Sequence, residues 1–347
     1  MLVGGVLWGI LGDKKGRVSV LFGSIFLYSV ANIANAFITT VDQYAVLRFI
    51  AGIGLAGELG AAITLVAEVM PKETRGYGTA IVASVGICGA VLAAWVGEHY
   101  AWTTAYIIGG VLGLLLLVAR MKMFDSGLFE NVVKKAHVKR GDIFMLFNNR
   151  KRFFKYLACI LTGTPIWFVI GILVTFSPEI ARELGATGPV IAGKSVMYCY
   201  IGLAVGDLVS GFASNWVRSR RKILALFIAL TAFFTGITTQ SRDFSPEYYY
   251  FLCVCLGFAT GYWAVFVTVA SEHFGTNLRA TVTTTVPNFV RGSVVLITSA
   301  FLMLKASMSL SQSAMLVGGV CLVFAILAVV SLPETYGKDL DYLEGLS

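Results

Sequence analysis

Three ionisable residues, Arg48, Glu58 and Arg291, stand inside long apolar runs of this sequence. An ionisable group within a membrane helix costs about 2.5–3.5 kcal/mol on insertion scales, so it usually faces a cavity or the bundle interior. Arg48 and Glu58 are about 15 Å apart along a helix and cannot pair with each other. We expect both to line a polar pathway, with Glu58 able to carry a proton. The alternatives are an Arg48 that reaches the membrane surface and a Glu58 held by a neighbouring helix.

A second polar feature surrounds Arg291. Thr284, Asn288 and Arg291 are spaced by four and three residues, so they share one face of a helix. Pro287 on the same helix would free a backbone carbonyl. A polar face in a membrane helix is typical of a water-filled pathway, and a buried Arg can bind an anionic group through two hydrogen bonds. The alternative is a salt bridge between helices, for which Glu58 is one possible partner.

Two sequence motifs occur twice, about 200 residues apart. Glu68 and Arg75 are repeated as Glu272 and Arg279. A Gly-x-x-x-Asp motif that begins at Gly9 returns at nearly the same offset as Gly-x-x-x-Asn, and both copies lead into basic residues. Such parallel repeats are typical of transporters built from two pseudo-symmetric halves.

Helices must position these residues. Of the 347 residues, 57% are hydrophobic and 13% are charged, and the mean hydropathy is +0.80. This composition excludes a disordered chain and leaves too few polar residues to cover a soluble globule. Ten apolar runs are long enough to cross a membrane; we expect them at 18–40, 44–67, 79–97, 102–120, 155–177, 190–216, 223–240, 248–271, 280–304 and 312–332. The sequence therefore predicts an all-α, polytopic transmembrane helical bundle with two pseudo-symmetric halves.

The longest polar stretch divides these runs into two groups. We expect an N-terminal bundle at 1–120, a cytoplasmic linker at 121–154, a C-terminal six-helix bundle at 155–333 and a cytoplasmic tail at 334–347. The first apolar segment stops at Asp13, which gives about 18 Å of helix against a hydrocarbon core of about 30 Å. The chain is therefore expected to begin inside a transmembrane helix, with an incomplete first bundle.

Charge sets the predicted orientation. Most of the 27 Lys and Arg residues lie in the loops of one side, which the positive-inside rule places in the cytoplasm. The net charge of +8 is thus a topology signal rather than a nucleic-acid footprint, because the basic residues form no patch with interleaved aromatic residues. The predicted location is the cell (inner) membrane, with many spans and a cytoplasmic C-terminus.

Three motifs resemble those of the major facilitator superfamily. Residues 9–17 (GILGDKKGR) resemble its loop between the second and third helices. Residues 48–76 resemble its fourth helix with the following loop, and residues 333–337 (PETYG) resemble its tail motif. The match is closest to the sugar-porter and metabolite:proton-symporter branches, and the Gly57-Glu58 pair favours the latter. The resemblance implies a twelve-helix fold of which this chain lacks the first helix and half of the second.

The resemblance also assigns roles to residues at the cytoplasmic helix ends. It implies an ion-pair network, a cytoplasmic gate, that stays closed while the protein faces outward. The residues concerned are Gly9, Asp13, Lys14, Gly16, Arg17, Glu68, Arg75, Asn215, Arg218, Glu272 and Arg279. It further implies that Arg48 pairs with an acidic group on the first helix. The alternative is that these charges only set topology.

These features predict a secondary active transporter that moves a small polar metabolite by alternating access, coupled to protons. An organic acid or zwitterion is favoured over a sugar, because the glutamine pair of sugar porters is missing from the corresponding helix. The alternative is a non-transporting sensor or an inactive truncated transporter. The sequence contains no P-loop, HExxH motif or Cys/His set, so no enzymatic activity, cofactor or metal is expected. The expected partners are the solute, the proton and the lipid bilayer, without nucleic acid, and the expected state is a monomer.

Overall fold

The computed structural model describes residues 1–120, 124–134 and 138–345, and within these ranges the chain forms helices and no β-strand. The first helices are α1 (Leu2–Lys15), α2 (Arg17–Asn35), α3 (Val41–Val69), α4 (Arg75–His99) and α5 (Trp102–Ala119). A short helix, α6 (Gly127–Lys134), and a 3-10 turn (Ile143–Leu146) follow. The remaining helices are α7 (Arg150–Phe168, continued by a π-helical turn, Val169–Val174), α8 (Ser177–Glu183), α9 (Ala192–Trp216), α10 (Arg220–Gln240), α11 (Pro246–Thr260), α12 (Trp263–His273), α13 (Arg279–Leu304) and α14 (Leu310–Ser331).

All ten predicted runs are helical, and each coincides with a segment long and apolar enough to cross a membrane. The prediction of an all-α membrane bundle is confirmed. α3 has 29 residues, about 43 Å, so it extends beyond a hydrocarbon core of about 30 Å. The run predicted at 155–177 begins earlier, at Arg150, inside the segment that we assigned to the linker. The run predicted at 248–271 is interrupted, because α11 ends at Thr260 and α12 begins at Trp263.

Two helix pairs bring the halves together: α1 packs along α13, and α4 packs along α9. The contacts are close at two glycines. A Cβ built on Gly9 would lie 2.9 Å from Thr281 Cα, and one built on Gly211 would meet Ala80 Cβ. Gly9 and Gly211 are equivalent residues of the repeated motif, so both copies of the motif lie at a contact between the halves.

Local signals set several helix ends. Thr40 caps α3 and Ser309 caps α14, and in both cases a Gln three residues later completes a capping box. Gly16 has a φ of 102°, a conformation that glycine adopts without steric cost. This residue reverses the chain between α1 and α2, so that Asp13 and Arg17 lie at the same end of the bundle.

Candidate functional site

A buried ion-pair network lies at the predicted cytoplasmic ends of the helices, and its first part is centred on Glu68 in α3. Arg17 donates to the two carboxylate oxygens of Glu68 from Nη2 (2.8 Å) and Nε (3.1 Å). Arg279, from the other half, donates to Glu68 Oε1 at 3.0 Å. Both arginines are fully buried. One carboxylate therefore joins two desolvated guanidinium groups that belong to different halves.

The second part is centred on Glu272 in α12. Arg75 of the first half lies 3.4 Å from Glu272 Oε1, and Arg220 of the second half lies 3.6 Å from the same oxygen. Arg75 and Arg279 each also donate from Nε to the backbone carbonyl eight residues earlier, at 2.8 Å and 3.2 Å. The two parts thus have the same geometry: in each part, one arginine contacts the glutamate of the opposite half.

We call this set the cytoplasmic network; its members are Arg17, Glu68, Arg75, Arg220, Glu272 and Arg279. Removing one partner of a buried ion pair is costly, because the other charge then stays buried without compensation. The contact between the halves at this end therefore depends on each of these charges keeping its partner.

Asp13 links the halves in a different way. Its carboxylate accepts hydrogen bonds from the backbone N–H groups of Ala280 (3.0 Å) and Thr281 (2.8 Å) and from the Thr281 hydroxyl (2.7 Å). These groups lie in the first turn of α13, so Asp13 on α1 caps a helix of the opposite half. Its repeat-related residue, Asn215, accepts from Arg220 Nη1 at 2.9 Å.

The structure thus brings most of the predicted gate residues together at one interface: Gly9, Asp13, Arg17, Glu68, Arg75, Asn215, Glu272 and Arg279. Their function as a gate stays a proposal.

The remaining predicted gate residues lie outside these contacts. Lys14 is exposed. Gly16 lies against the carboxylate of Asp125. Arg218 is exposed and has a left-handed φ of 53° in the turn that follows α9. This turn changes which side chain after α9 faces inward, so that Arg220, with 1% exposure, is buried in place of Arg218. The structure therefore corrects the prediction of Arg218 to Arg220.

A part of the predicted linker covers the Glu68 side of the network. Asp125 accepts from the backbone N–H groups of Arg17 (2.6 Å) and Val18 (3.0 Å) and so caps α2. Ser126 donates to Glu68 Oε2. The Phe129 ring centroid lies 4.7 Å from the Arg17 guanidinium carbon. These three residues were not predicted from the sequence, where the available signal was the Asp-Ser-Gly run before a short amphipathic segment.

The tail covers the Glu272 side. The Leu340 carbonyl accepts from Arg279 Nη2 at 2.7 Å, and the Lys338 carbonyl accepts from Arg75 Nη1 at 3.3 Å. Tyr342 donates from its hydroxyl to the Glu272 carbonyl at 3.2 Å. The tail thus supplies acceptors to arginines of both halves in the closed arrangement.

Glu334 anchors the start of the tail. Its carboxylate accepts from the Ser219 hydroxyl and from the backbone N–H groups of Arg220 (2.9 Å) and Arg221 (3.2 Å) at the first turn of α10. Partial burial would raise the pKa of this carboxyl, but these hydrogen bonds, with one from Tyr336 N–H, outweigh it and hold the pKa below its ordinary value of 4.5. The anchor is therefore fully present above the ordinary pKa and is lost as the pH falls through the lower folded pKa.

Glu334→Gln, which mimics the protonated carboxyl at neutral pH, is expected to loosen the tail. The amide keeps one acceptor but loses the charge-assisted hydrogen bonds, which are roughly twice as strong as neutral ones. We expect trypsin to cleave after Lys338 several-fold faster than in the unmodified protein at pH 7.5. Glu130→Gln, on an exposed side chain of α6, is the control. Equal cleavage rates in the two variants would show that Glu334 does not anchor the tail.

Arg291 lies apart from the network, farther along α13. Its guanidinium carbon lies 5.2 Å from the Trp263 ring centroid, at the first residue of α12. No carboxylate of the described residues is within ion-pair distance of Arg291. Arg291 is half-buried, so this guanidinium is partly removed from solvent without an anionic partner among the described residues.

Thr284 and Asn288 lie on the face of α13 that packs against the first half. Asn288 donates from Nδ2 to the Ala56 carbonyl of α3 at 2.9 Å. A Cβ built on Gly60 would lie 2.5 Å from Thr284 Cα. Both polar residues are 1% exposed, so in this conformation they pack at the contact between the halves rather than line open space.

Glu58 and Arg48 occupy different surroundings on α3. Glu58 pairs with Arg120, at the end of α5, at 3.4 Å, and both side chains are 23% exposed. It therefore does not pair with Arg291, which was one of the alternatives. Arg48 is exposed. The predicted roles of Arg48 and Glu58 in a substrate or proton pathway stay predictions.

The profile of the Major Facilitator Superfamily matches residues 1–299. The chain belongs to the major facilitator superfamily. It is therefore a multi-pass membrane protein of a transporter class and not an enzyme, as its sequence predicted.

Individual members of the superfamily resemble most or nearly all of the chain. A probable 4-methylmuconolactone transporter of Cupriavidus pinatubonensis is 26% identical over 98% of this chain and 80% of its own length. The 4-hydroxybenzoate transporter PcaK of Pseudomonas putida is 26% identical over 70% of this chain and 61% of its own. The structure of the proton:xylose symporter XylE bound to 6-bromo-6-deoxy-D-glucose superposes with a TM-score of 0.75 at 18% identity, covering 99% of this chain and 87% of XylE. The last similarity confirms the fold.

Proposed function

We propose that this major facilitator protein is a proton-coupled secondary active transporter of a small organic acid. The observation that carries the substrate class is Arg291, a half-buried guanidinium that stacks on Trp263 and has no carboxylate partner among the described residues. A guanidinium binds a carboxylate through two parallel hydrogen bonds, and this interaction strengthens where water is excluded.

The indole of Trp263 supports an acid with an apolar or aromatic body. A ring that lies under the arginine offers a flat surface beside the carboxylate-binding group, so a planar acid can contact both. The two sequence relatives are described as carriers of 4-methylmuconolactone and 4-hydroxybenzoate, which are small organic molecules of this kind. A sugar would leave the charge of Arg291 without a partner.

Alternating access follows from the arrangement of the two halves. In this conformation the cytoplasmic network joins them at one end, so the site beside Arg291 would open toward the other side of the membrane. Inward opening requires that the contacts of Glu68, Glu272 and Asp13 across the interface break. A proton gradient is the proposed energy source.

Arg291→Ala is expected to reduce uptake of labelled 4-hydroxybenzoate by about tenfold to a hundredfold, because a charge-assisted hydrogen bond is worth about 1.5–3 kcal/mol. Arg291→Lys, which keeps the charge but not the two-pronged geometry, should retain part of the activity. Uptake is measured in proteoliposomes with a pH gradient, and Arg182→Ala, on an exposed arginine, is the control. Unchanged uptake of every tested acid by Arg291→Ala would refute the assignment.

We further propose that the protein acts as a monomer in the cell (inner) membrane with a cytoplasmic C-terminus. The concentration of Lys and Arg on one side supports this orientation. A reporter that is active only in the cytoplasm should be active when it is fused to the tail. An inactive reporter would indicate the opposite orientation.

A further inference from the structure

Asp207 is a membrane-embedded carboxyl that none of the interactions described so far uses. It lies within α9, and its side chain has no solvent exposure. Oδ1 accepts a hydrogen bond from the backbone N–H of Ala264 at 2.9 Å, whereas Oδ2 has no hydrogen-bond donor within reach among the described residues. A buried polar atom without a partner costs free energy, so its presence in a membrane helix calls for a functional reason.

The N–H group that Asp207 binds belongs to an interrupted membrane span. α11 ends at Thr260 and α12 begins at Trp263, so the first N–H groups of α12 have no helical partner. Gly206 and Gly261 bring the backbones together at this point, because a Cβ on Gly261 would lie 2.5 Å from Gly206 Cα. The carboxyl of Asp207 thereby caps α12 one residue after Trp263, the ring that stacks with Arg291.

This place is also a contact between the two halves. Ala264 packs in one cluster with Ala80 and Ala83 of α4, which belongs to the first half. One turn farther along α12, Thr268 donates to Thr79 of α4 at 2.9 Å. α4 therefore covers the junction of α9 and α12 at which Asp207 is buried.

No cation compensates Asp207 within the described ranges, where none of the ion pairs includes it. The helices packed against α9 carry their charged residues near their ends, away from the centre of the span. These residues, with the other titratable groups of the same helices, are Arg75, Tyr77, Cys88, Glu98 and His99 on α4, Glu179, Arg182 and Glu183 on α8, Arg220, Arg221 and Lys222 on α10, Glu247, Tyr248, Tyr249, Tyr250, Cys253 and Cys255 on α11, and Glu272 and His273 on α12.

We propose that Asp207 is a proton-binding site whose occupancy is linked to closure of the cytoplasmic side. A carboxylate that has lost its water and has no counter-ion destabilises the closed contact, whereas a neutral carboxyl can be buried there. When the halves separate at this end, α4 leaves the junction and water reaches Asp207. The O–H bond of the carboxyl then breaks, the proton passes to cytoplasmic water, and the carboxylate remains solvated until the halves close again on a reprotonated group.

The inference rests on the alternating access proposed above, and a distance measurement tests it. Lys14→Cys and Arg218→Cys place spin labels on exposed residues of opposite halves at the cytoplasmic end, in a background free of native cysteines. Pulsed electron paramagnetic resonance in proteoliposomes then reports the label distance at pH 6 and pH 8. We expect the long-distance, open population to rise severalfold with pH in the otherwise unmodified protein.

Asp207→Asn is the decisive variant, because its side-chain oxygen can still accept the hydrogen bond from Ala264 while the proton site is removed. In this variant the distance between the labels should stay short at both pH values. Asp207→Ala, which also removes the cap, should likewise lose the pH dependence and provides a second variant if the first does not fold. Glu247→Gln, an exposed carboxyl at the start of α11, should behave as the unmodified protein.

A pH-dependent shift that persists in Asp207→Asn would overturn the inference, as would a label distance in the unmodified protein that does not respond to pH. Uptake of 4-hydroxybenzoate by the same samples separates this result from the proposed function. If the shift is present and abolished by Asp207→Asn while no acid is transported, the proton site stands and the substrate assignment fails.

Discussion

Glu68→Gln is expected to open the cytoplasmic side and to lower transport at least about tenfold. The amide has one acceptor oxygen for two guanidinium groups, and its NH₂ must face a donor of Arg17 or Arg279. If the closed contact loses about 2 kcal/mol, the ratio of closed to open molecules falls about thirtyfold. The label distance between Lys14→Cys and Arg218→Cys measures this ratio directly.

Glu73→Gln, an exposed carboxyl in the loop after α3, is the matched control and should leave both readings unchanged. Loss of transport with an unchanged distance distribution would mean that Glu68 acts in folding or binding rather than in closure. Glu272→Gln should resemble Glu68→Gln with a smaller effect, because its contacts to Arg75 and Arg220 are longer, at 3.4 and 3.6 Å.

Gly9→Val is expected to reduce transport about a hundredfold while the protein still inserts and folds. The added Cβ would lie 2.9 Å from Thr281 Cα and 3.0 Å from the Thr281 carbonyl oxygen, so α1 and α13 cannot approach to the observed distance. Since the obstacle is backbone rather than a flexible side chain, the helices must separate, and the cytoplasmic side cannot close. The labels should report the open distance even at pH 6.

Gly109→Val is the control for this substitution, because a Cβ on Gly109 meets no atom of the described residues within 4 Å. It places the same side chain on a membrane helix without changing the contact between the halves. Transport at the unmodified rate by Gly9→Val would show that the α1–α13 contact is not required for the cycle.

Sequence patterns predicted the secondary structure well where the determinant is local. An apolar run of about 20 residues must satisfy its own backbone hydrogen bonds in a membrane, so its length alone indicates a helix. The same reasoning could not predict the interruption at residues 261–262, since that run has no proline or charge at the break. The break depends on Gly206 of another helix and on the cap from Asp207.

The site was predicted in part. The repeat identified the two glutamates and two of the four arginines of the cytoplasmic network, Arg75 and Arg279, because equivalent halves must repeat their charges at equivalent positions. The family resemblance added Arg17. The predicted gate included Arg218 and not Arg220, because a single left-handed residue changes which side chain turns inward and spacing does not reveal it. Asp125, Ser126 and Glu334 were missed because they act from loops, where no periodicity indicates a partner.

The sequence by itself determined that this protein is a helical membrane bundle of two related halves, and its basic residues predict an orientation. These properties follow from hydrophobic burial and from the positive-inside rule, which depend on composition and order along the chain. Only the tertiary structure decided that Glu58 meets Arg120, that Arg291 stacks on Trp263 and that Asp207 is buried with no counter-ion in the part of the chain that the structure describes. Those outcomes depend on which helices touch across the two halves, and a side chain's partner there is set by three-dimensional packing rather than by its neighbours in sequence.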